Sequence, residues 1–188
     1  PLELLFPLVD AQPEHGELLT FQGLNTFLVE PVTSLNQPNS SEGLGKLAAT
    51  EPDLVVSIRY GCILEAEPLV VPTRGVLNLH SGRLPEYRGV MATFRAMLAG
   101  EEKLCSTLHW IDDPTIDTGR IISVQSHNRD PEQCYLASTI GLYPSGCTAI
   151  LEAIGMIEAG HEPNAQAPGE TGTYSSFPDQ ASLEAFTE

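Results

Sequence analysis

The stretch that most narrows what this chain can become is residues 76–89, VLNLHSGRLPEYRG, where an apolar run ends in two polar residues and then breaks into a loop. In a strand, successive side chains alternate faces, so Asn78 and His80 share one face while Leu79 takes the other. Two steps along a strand span about 6.5 to 7 Å, a separation that lets an amide donor and an imidazole flank one small carbonyl group. Ser81-Gly82 ends the strand, and Pro85 with Gly89 punctuates a segment predicted to be loop, neither strand nor helix. Polar groups at the end of an apolar strand, followed by an irregular loop, are how open α/β sheets build their sites.

Elsewhere the pattern alternates between strands and helices. Residues 1–9 carry apolar side chains at helical spacing with Pro1 at the start and a kinking Pro7, and 17–22 and 26–30 read as short strand segments. A helix in first place leaves the opening strand of a doubly wound sheet, with its glycine-rich turn, apparently missing from the sequence. Residues 33–42 are a loop rich in Asn, Ser and Pro, and a helix follows to about Thr50. The continuous apolar run 54–58 predicts a strand buried on both faces, and 60–64 a turn. Residues 91–99 predict a helix stopped by Gly100, and 105–111 a strand in which His109 is read as a structural histidine beside a buried Trp110. A strand at 120–126 precedes a long helix over 132–160, interrupted at 143–146. The remainder is rich in Gly and Pro up to a short terminal helix at 181–186, with 173–178 lying back on the domain. Together these predict an α/β fold with a doubly wound, mostly parallel sheet and helices on both faces. The main domain would span 1–160 and a C-terminal extension 161–188.

At 188 residues there is room for one real core, and 25 acidic residues against 9 Lys plus Arg leave a formal net charge of -16. Such a surface repels phosphate backbones and anionic membranes, so neither nucleic acid nor membrane is expected as a partner. Plain solubility is the other reading of the same charge. Cys62, Cys105, Cys134 and Cys147 lie far apart with no C-x-x-C pair, which predicts reduced cysteines in a cytoplasmic protein and no metal site. No run of 18 or more apolar residues is present to span a bilayer.

The motif residues carry a resemblance. Asn78-Leu79-His80, then Ser81-Gly82-Arg83-Leu84-Pro85-Glu86-Tyr87-Arg88-Gly89, then Asp117-Thr118-Gly119 resemble the signature of the folate-dependent formyltransferases: Asn-x-His, a Ser-x-Leu-Pro-x-aromatic-x-Gly loop, and a later Asp-x-Gly loop. All three elements occur in order, with 39 positions from Asn78 to Asp117. Two departures stand out. The first loop has one residue more than usual between its Ser and its Leu-Pro, and the run into Asp117 is about one residue longer than usual, with Pro114 removing a backbone donor.

The resemblance implies transfer of a formyl group from 10-formyltetrahydrofolate to an amine, with no metal. Asn78 would offer its amide to the developing oxyanion, His80 would shuttle protons, and Asp117 would orient the imidazole and stabilise its charged form. Each residue also has a bland reading, as a strand-end cap, a core histidine and a turn residue. The pteridine is assigned to Cys62, Ile63 and Leu64 after the 54–58 strand, and to Asp113 and Ile116. Ser81, Arg83 and Arg88 are the acceptor-side candidates, the two arginines as bidentate anion ligands or as exposed loop cations. The short, acidic chain points to a small amine such as an amino-sugar nucleotide, a hydroxyornithine-like side chain or an amino acid derivative, and a homodimer is kept open. A formyltetrahydrofolate deformylase and a silent folate-binding or assembly module are the alternatives.

Overall fold

The computed structural model describes residues 35–169 and 172–187, so the helix and strand segments predicted within 1–30 lie outside the described residues. Helix α1 (Ser41–Ala48) opens with the Ser40 side chain accepting the Gly43 N–H at 3.0 Å, the usual solution for an orphan donor at a helix start. Strand β1 (Val55–Ile58) and a short helix α2 (Ala66–Leu69) lead to β2 (Val76–His80). After β2 come β3 (Tyr87–Gly89), α3 (Ala92–Leu98), β4 (Lys103–Trp110) and β5 (Ile121–Asn128). Helices α4 (Tyr135–Gly141) and α5 (Tyr143–Glu158), strand β6 (Thr173–Ser175) and helix α6 (Gln180–Thr187) complete the described chain.

The α/β class holds. The main sheet has the order β1-β2-β4-β5 and is mixed: β1 pairs with β2 in parallel, while β4 is antiparallel to both β2 and β5. Alternation in β2 works as its sequence dictates. Leu77 and Leu79, 0% and 2% exposed, face one side and join Leu108 and Trp110 of β4 in a core closed by Ala149, Ile150 and Ala153 of α5. Burying each such leucine contributes about 1.5–3 kcal/mol. Asn78 and His80 therefore point away from this core, and the register sets Asn78 opposite His109 and His80 opposite Thr107. Strand β1 is only half-buried, with Ile58 exposed, so the expectation of burial on both faces does not hold among the described residues.

The long helix predicted over 132–160 is divided at Leu142, just before the predicted interruption. Pro144 sits in the first turn of α5, where its missing N–H costs nothing; inside a continuous helix it would have removed a bond. By length and composition alone the stretch Tyr135–Glu158, with mean hydropathy 1.4, is apolar enough to cross a membrane. Here its inner face is the cover of the sheet core.

A second correction concerns 85–89, expected to be loop throughout. Residues 87–89 form β3, which pairs in parallel with β6, with Arg88 opposite Tyr174. The C-terminal segment thus lies back on the domain: Ile121 and Gln166 exchange both backbone hydrogen bonds, and Phe186 stacks 4.6 Å from Phe94. Three-residue strands carry no period of their own, and only the pairing across more than eighty residues makes them strands.

Candidate active site

The loop joining β4 to β5 decides the geometry. It leaves Trp110, folds back over the polar face of the sheet, and returns at Arg120, whose carbonyl accepts the Trp110 N–H at 2.9 Å. Gly119 makes this closure possible, because a Cβ there would lie 1.7 Å from the Trp110 carbonyl oxygen. At the top of the loop Asp117 adopts φ 54°, a left-handed conformation that Asp tolerates better than most residues. Its carboxylate comes down between two histidines. Oδ2 lies 3.5 Å from His80 Nδ1 and accepts the Gly89 N–H at 2.7 Å, while Oδ1 lies 3.6 Å from His109 Nε2.

The hydrogen bonds fix where the ring protons sit. His80 Nε2 is 2.7 Å from the Tyr87 carbonyl, which can only accept, so Nε2 carries a proton and Nδ1 keeps its lone pair toward Asp117. His109 Nδ1 donates to the Trp110 carbonyl at 2.8 Å, which leaves Nε2 as an acceptor for the Asn78 amide N–H at 3.0 Å. The second Asn78 N–H has no partner among the described residues and is free for a ligand.

Burial has the largest influence on His80, which is 8% exposed, and pushes its pKa below the ordinary value of 6.5. The Asp117 charge and the Tyr87 carbonyl pull the other way without overcoming it, and His109 adds to the lowering. Burial likewise pushes the Asp117 carboxyl up, but hydrogen bonding and charge from the His109 and His80 rings in their protonated form, with the Gly89 N–H, outweigh it and hold the group below its ordinary 3.8. The resting site is therefore a neutral imidazole facing an ionised carboxylate, ready to take up one proton.

Asn78, His80 and Asp117 are thus brought together, and His109, expected to be structural, belongs to the same cluster. The other predicted residues sit differently. Arg88 is a correction: it is 9% exposed, and its Nε and Nη2 donate to the Ile116 carbonyl at 3.0 and 2.8 Å, with Nη1 3.4 Å from the Gly172 carbonyl. A guanidinium spent on three backbone contacts has little left for an acceptor anion. Arg83 is exposed, and the Ser81 hydroxyl shares a 3.2 Å hydrogen bond with Tyr143. In the loop after β1, Cys62 is half-buried, Leu64 is buried and Ile63 is 55% exposed. Asp113 is exposed and caps Thr115 N–H at 2.6 Å, and the Ile116 carbonyl is taken by Arg88.

Two open grooves lie elsewhere, one of about 400 Å³ along β5 and one of about 300 Å³ beside Met97 and Phe186. Neither is lined by Asn78, His80 or Asp117, and the first has no acid or base among the described residues of its wall. Chemistry, more than depth, marks the site. Among the described residues, no cluster of three or more His, Cys, Asp or Glu side chains is placed to hold a metal ion.

Comparison with known proteins bears on the family and the fold. A family model described as formyl transferase matches residues 21–134. A methionyl-tRNA formyltransferase from Xanthomonas campestris pv. campestris is 32% identical over 152 residues, covering 80% of this chain and 49% of that protein. One from Fusobacterium nucleatum subsp. nucleatum is 26% identical over 159 residues, covering 83% and 51%. The chain therefore spans about half the length of the curated relatives it matches. Among solved structures, WlaRD, described as a sugar 3N-formyl transferase in the presence of dTDP and 5-N-formyl-THF, superposes with a TM-score of 0.59 at 23% identity, covering 69% of this chain and 47% of that one. At that identity the likeness speaks for the fold.

Proposed function

The chain belongs to the formyl transferase family, and we propose that it carries the catalytic machinery for moving a formyl group from a reduced folate to the amine of a small-molecule acceptor. The observation that carries the reading is the convergence of Asn78, His80 and Asp117, with Asp117 Oδ2 3.5 Å from His80 Nδ1.

The folate donor supplies the formyl carbon. The remaining work falls to this chain. The free N–H of Asn78 stabilises the oxygen that gains charge when the carbonyl is attacked, and one such donor is typically worth about 100- to 1000-fold in rate. His80 accepts the proton of the attacking amine at Nδ1, the nitrogen that carries no proton in the neutral ring and lies beside Asp117. Asp117 stabilises the imidazolium so formed, and the proton then passes to the departing nitrogen. The donor would be bound by the loop after β1, where Ile63 offers exposed apolar surface, and by the Asp113 to Ile116 part of the catalytic loop. The net charge of -16 favours a small amine over a polyanionic acceptor.

The test is incubation with 10-formyltetrahydrofolate and a panel of amines, among them amino-sugar nucleotides, hydroxyornithine, free amino acids and methionyl-tRNA, with products read by mass. Formylation of a small amine supports the reading. Formylation of methionyl-tRNA alone overturns the acceptor class, and release of formate without an amine makes the protein a hydrolase.

A further inference from the structure

We infer that Arg88 is a positioning residue, an inference that rests on the formyl-transfer reading: its guanidinium grips the backbone ahead of Asp117 and so fixes the carboxylate between His80 and His109. Arg88 and Gly89 are consecutive in β3, and Ile116 and Asp117 are consecutive in the catalytic loop. Arg88 holds the first of that pair through two side-chain donors at 3.0 and 2.8 Å, and Gly89 holds the second through its own N–H at 2.7 Å. The fork geometry of the guanidinium lets one carbonyl accept both Nε and Nη2, which resists rotation of the peptide as a single donor could not.

What needs holding is evident. Asp117 occupies a left-handed conformation at φ 54°, which persists only where surroundings impose it. A slack loop would let the carboxylate retreat from the imidazoles, because the hydrogen bonds within the loop, from the Thr115 N–H to Asp113 and from the Thr118 hydroxyl to the Thr115 carbonyl, brace its approach without touching the Asp117 carboxylate.

The platform for the grip comes from far away. β3 is held by β6, and the third donor of Arg88 reaches the Gly172 carbonyl beside that strand. Gly89 has φ 91°, and a Cβ there would lie 2.2 Å from the Ser175 carbonyl oxygen, so the two short strands press together against the loop. The C-terminal segment thus reaches the acid of the site through one arginine.

A ligand-binding role would demand the opposite arrangement, an accessible guanidinium with donors to spare. Arg88 is 9% exposed, and its three nitrogens all face backbone carbonyls.

The decisive measurement is the coupling between Asp117 and His80, read by NMR titration of the His80 ring in isotopically labelled protein. The groups facing His80 are Asp117 from the loop, His109 from β4 and the Tyr87 carbonyl from β3. Asp117→Asn removes the one that favours protonation through charge, so the displacement it causes in the His80 titration reports their proximity whatever the burial. In the Arg88→Met background that displacement is expected to shrink several-fold, with Arg88→Lys, which keeps the charge but loses the fork, falling between. An undiminished displacement in both variants overturns the inference. The kinetic arm adds a second criterion: Arg88→Lys is expected to lower kcat by up to about 100-fold with acceptor KM nearly unchanged. A raised acceptor KM with kcat retained would make Arg88 a ligand contact. If the wild-type protein transfers no formyl group, that reading fails while the titration still decides for or against the grip.

Discussion

Asn78 and His109 face each other across the β2–β4 ladder, and the Asn78 amide donates to His109 Nε2 at 3.0 Å. The proton on the far side of that ring goes to the Trp110 carbonyl, so the backbone dictates which way the carboxamide turns. One N–H of Asn78 is held and the other is presented. On the proposed mechanism Asn78 is the oxyanion donor, and one preset in this way costs no reorganisation at the moment of reaction.

Replacing Asn78 by Ala is expected to lower kcat about 100- to 1000-fold with little change in donor affinity. Asn78→Asp would be at least as damaging, since it sets a second carboxylate beside Asp117. Steady-state kinetics with the leading acceptor, alongside isothermal titration of a folate analogue, separates the two effects.

His109→Phe keeps the volume of the ring but leaves Asn78 unheld. One lost hydrogen bond is worth about 1 kcal/mol, so kcat should fall roughly five- to tenfold if orientation is all that is lost. His109→Gln, which still offers an acceptor, should recover part of the rate. Equal rates for wild type and His109→Phe would return this histidine to a purely structural role.

Stability should decline in acid for a reason visible at the site. His80 titrates at lower pH in the folded chain than its ordinary 6.5, so below about 6.5 the unfolded chain binds more protons and stability falls with pH until the folded ring is also protonated. Asp117, held below 3.8, contributes stability that is present above its ordinary value and lost as pH falls through its folded value. Thermal melts between pH 8 and pH 3 should therefore show a Tm decline beginning near 6.5 that His80→Gln reduces, whereas Asp117→Asn removes the loss below about 3.8 and, by taking away the charge that favours His80 protonation, carries the His80 part of the decline to lower pH.

Much of this was legible in the sequence, and the reasons differ from residue to residue. Asn78 and His80 could be placed on one face because a strand has a period of two, and that inference needs no knowledge of neighbours. His109 obeys the same rule within β4, sharing a face with Cys105 and Thr107, but its meaning depends on the register with β2, which no local pattern encodes. Parity was the available signal: the face opposite Leu108 and Trp110 had to be the polar one. Arg88 was misread because a cation beside Gly and Pro resembles an exposed loop residue, and its burial comes from β6, more than eighty positions away. The break at Leu142 fell slightly earlier than predicted because Pro144 marks the start of a helix as readily as the end of one.

Gly119→Ala is a sharp test of how the loop closes. The added methyl would sit 1.7 Å from the Trp110 carbonyl oxygen, a backbone atom that cannot step aside. A cost of about 3 kcal/mol is expected, which for a domain of this size lowers Tm by roughly 10 °C. Formyl transfer should fall further than the stability loss alone explains, because Asp117 rides on the same loop. Calorimetry and kinetics on the same preparation check both parts.

The most direct measurement is formyl transfer from 10-formyltetrahydrofolate to the preferred amine by the wild type and by a variant combining Asn78→Ala, His80→Ala and Asp117→Ala, with circular dichroism confirming that both are folded. The wild type should yield the formylated amine, and the triple variant none above the uncatalysed rate. Equal yields from the two proteins, or a wild type that formylates no amine in the panel, would contradict the account.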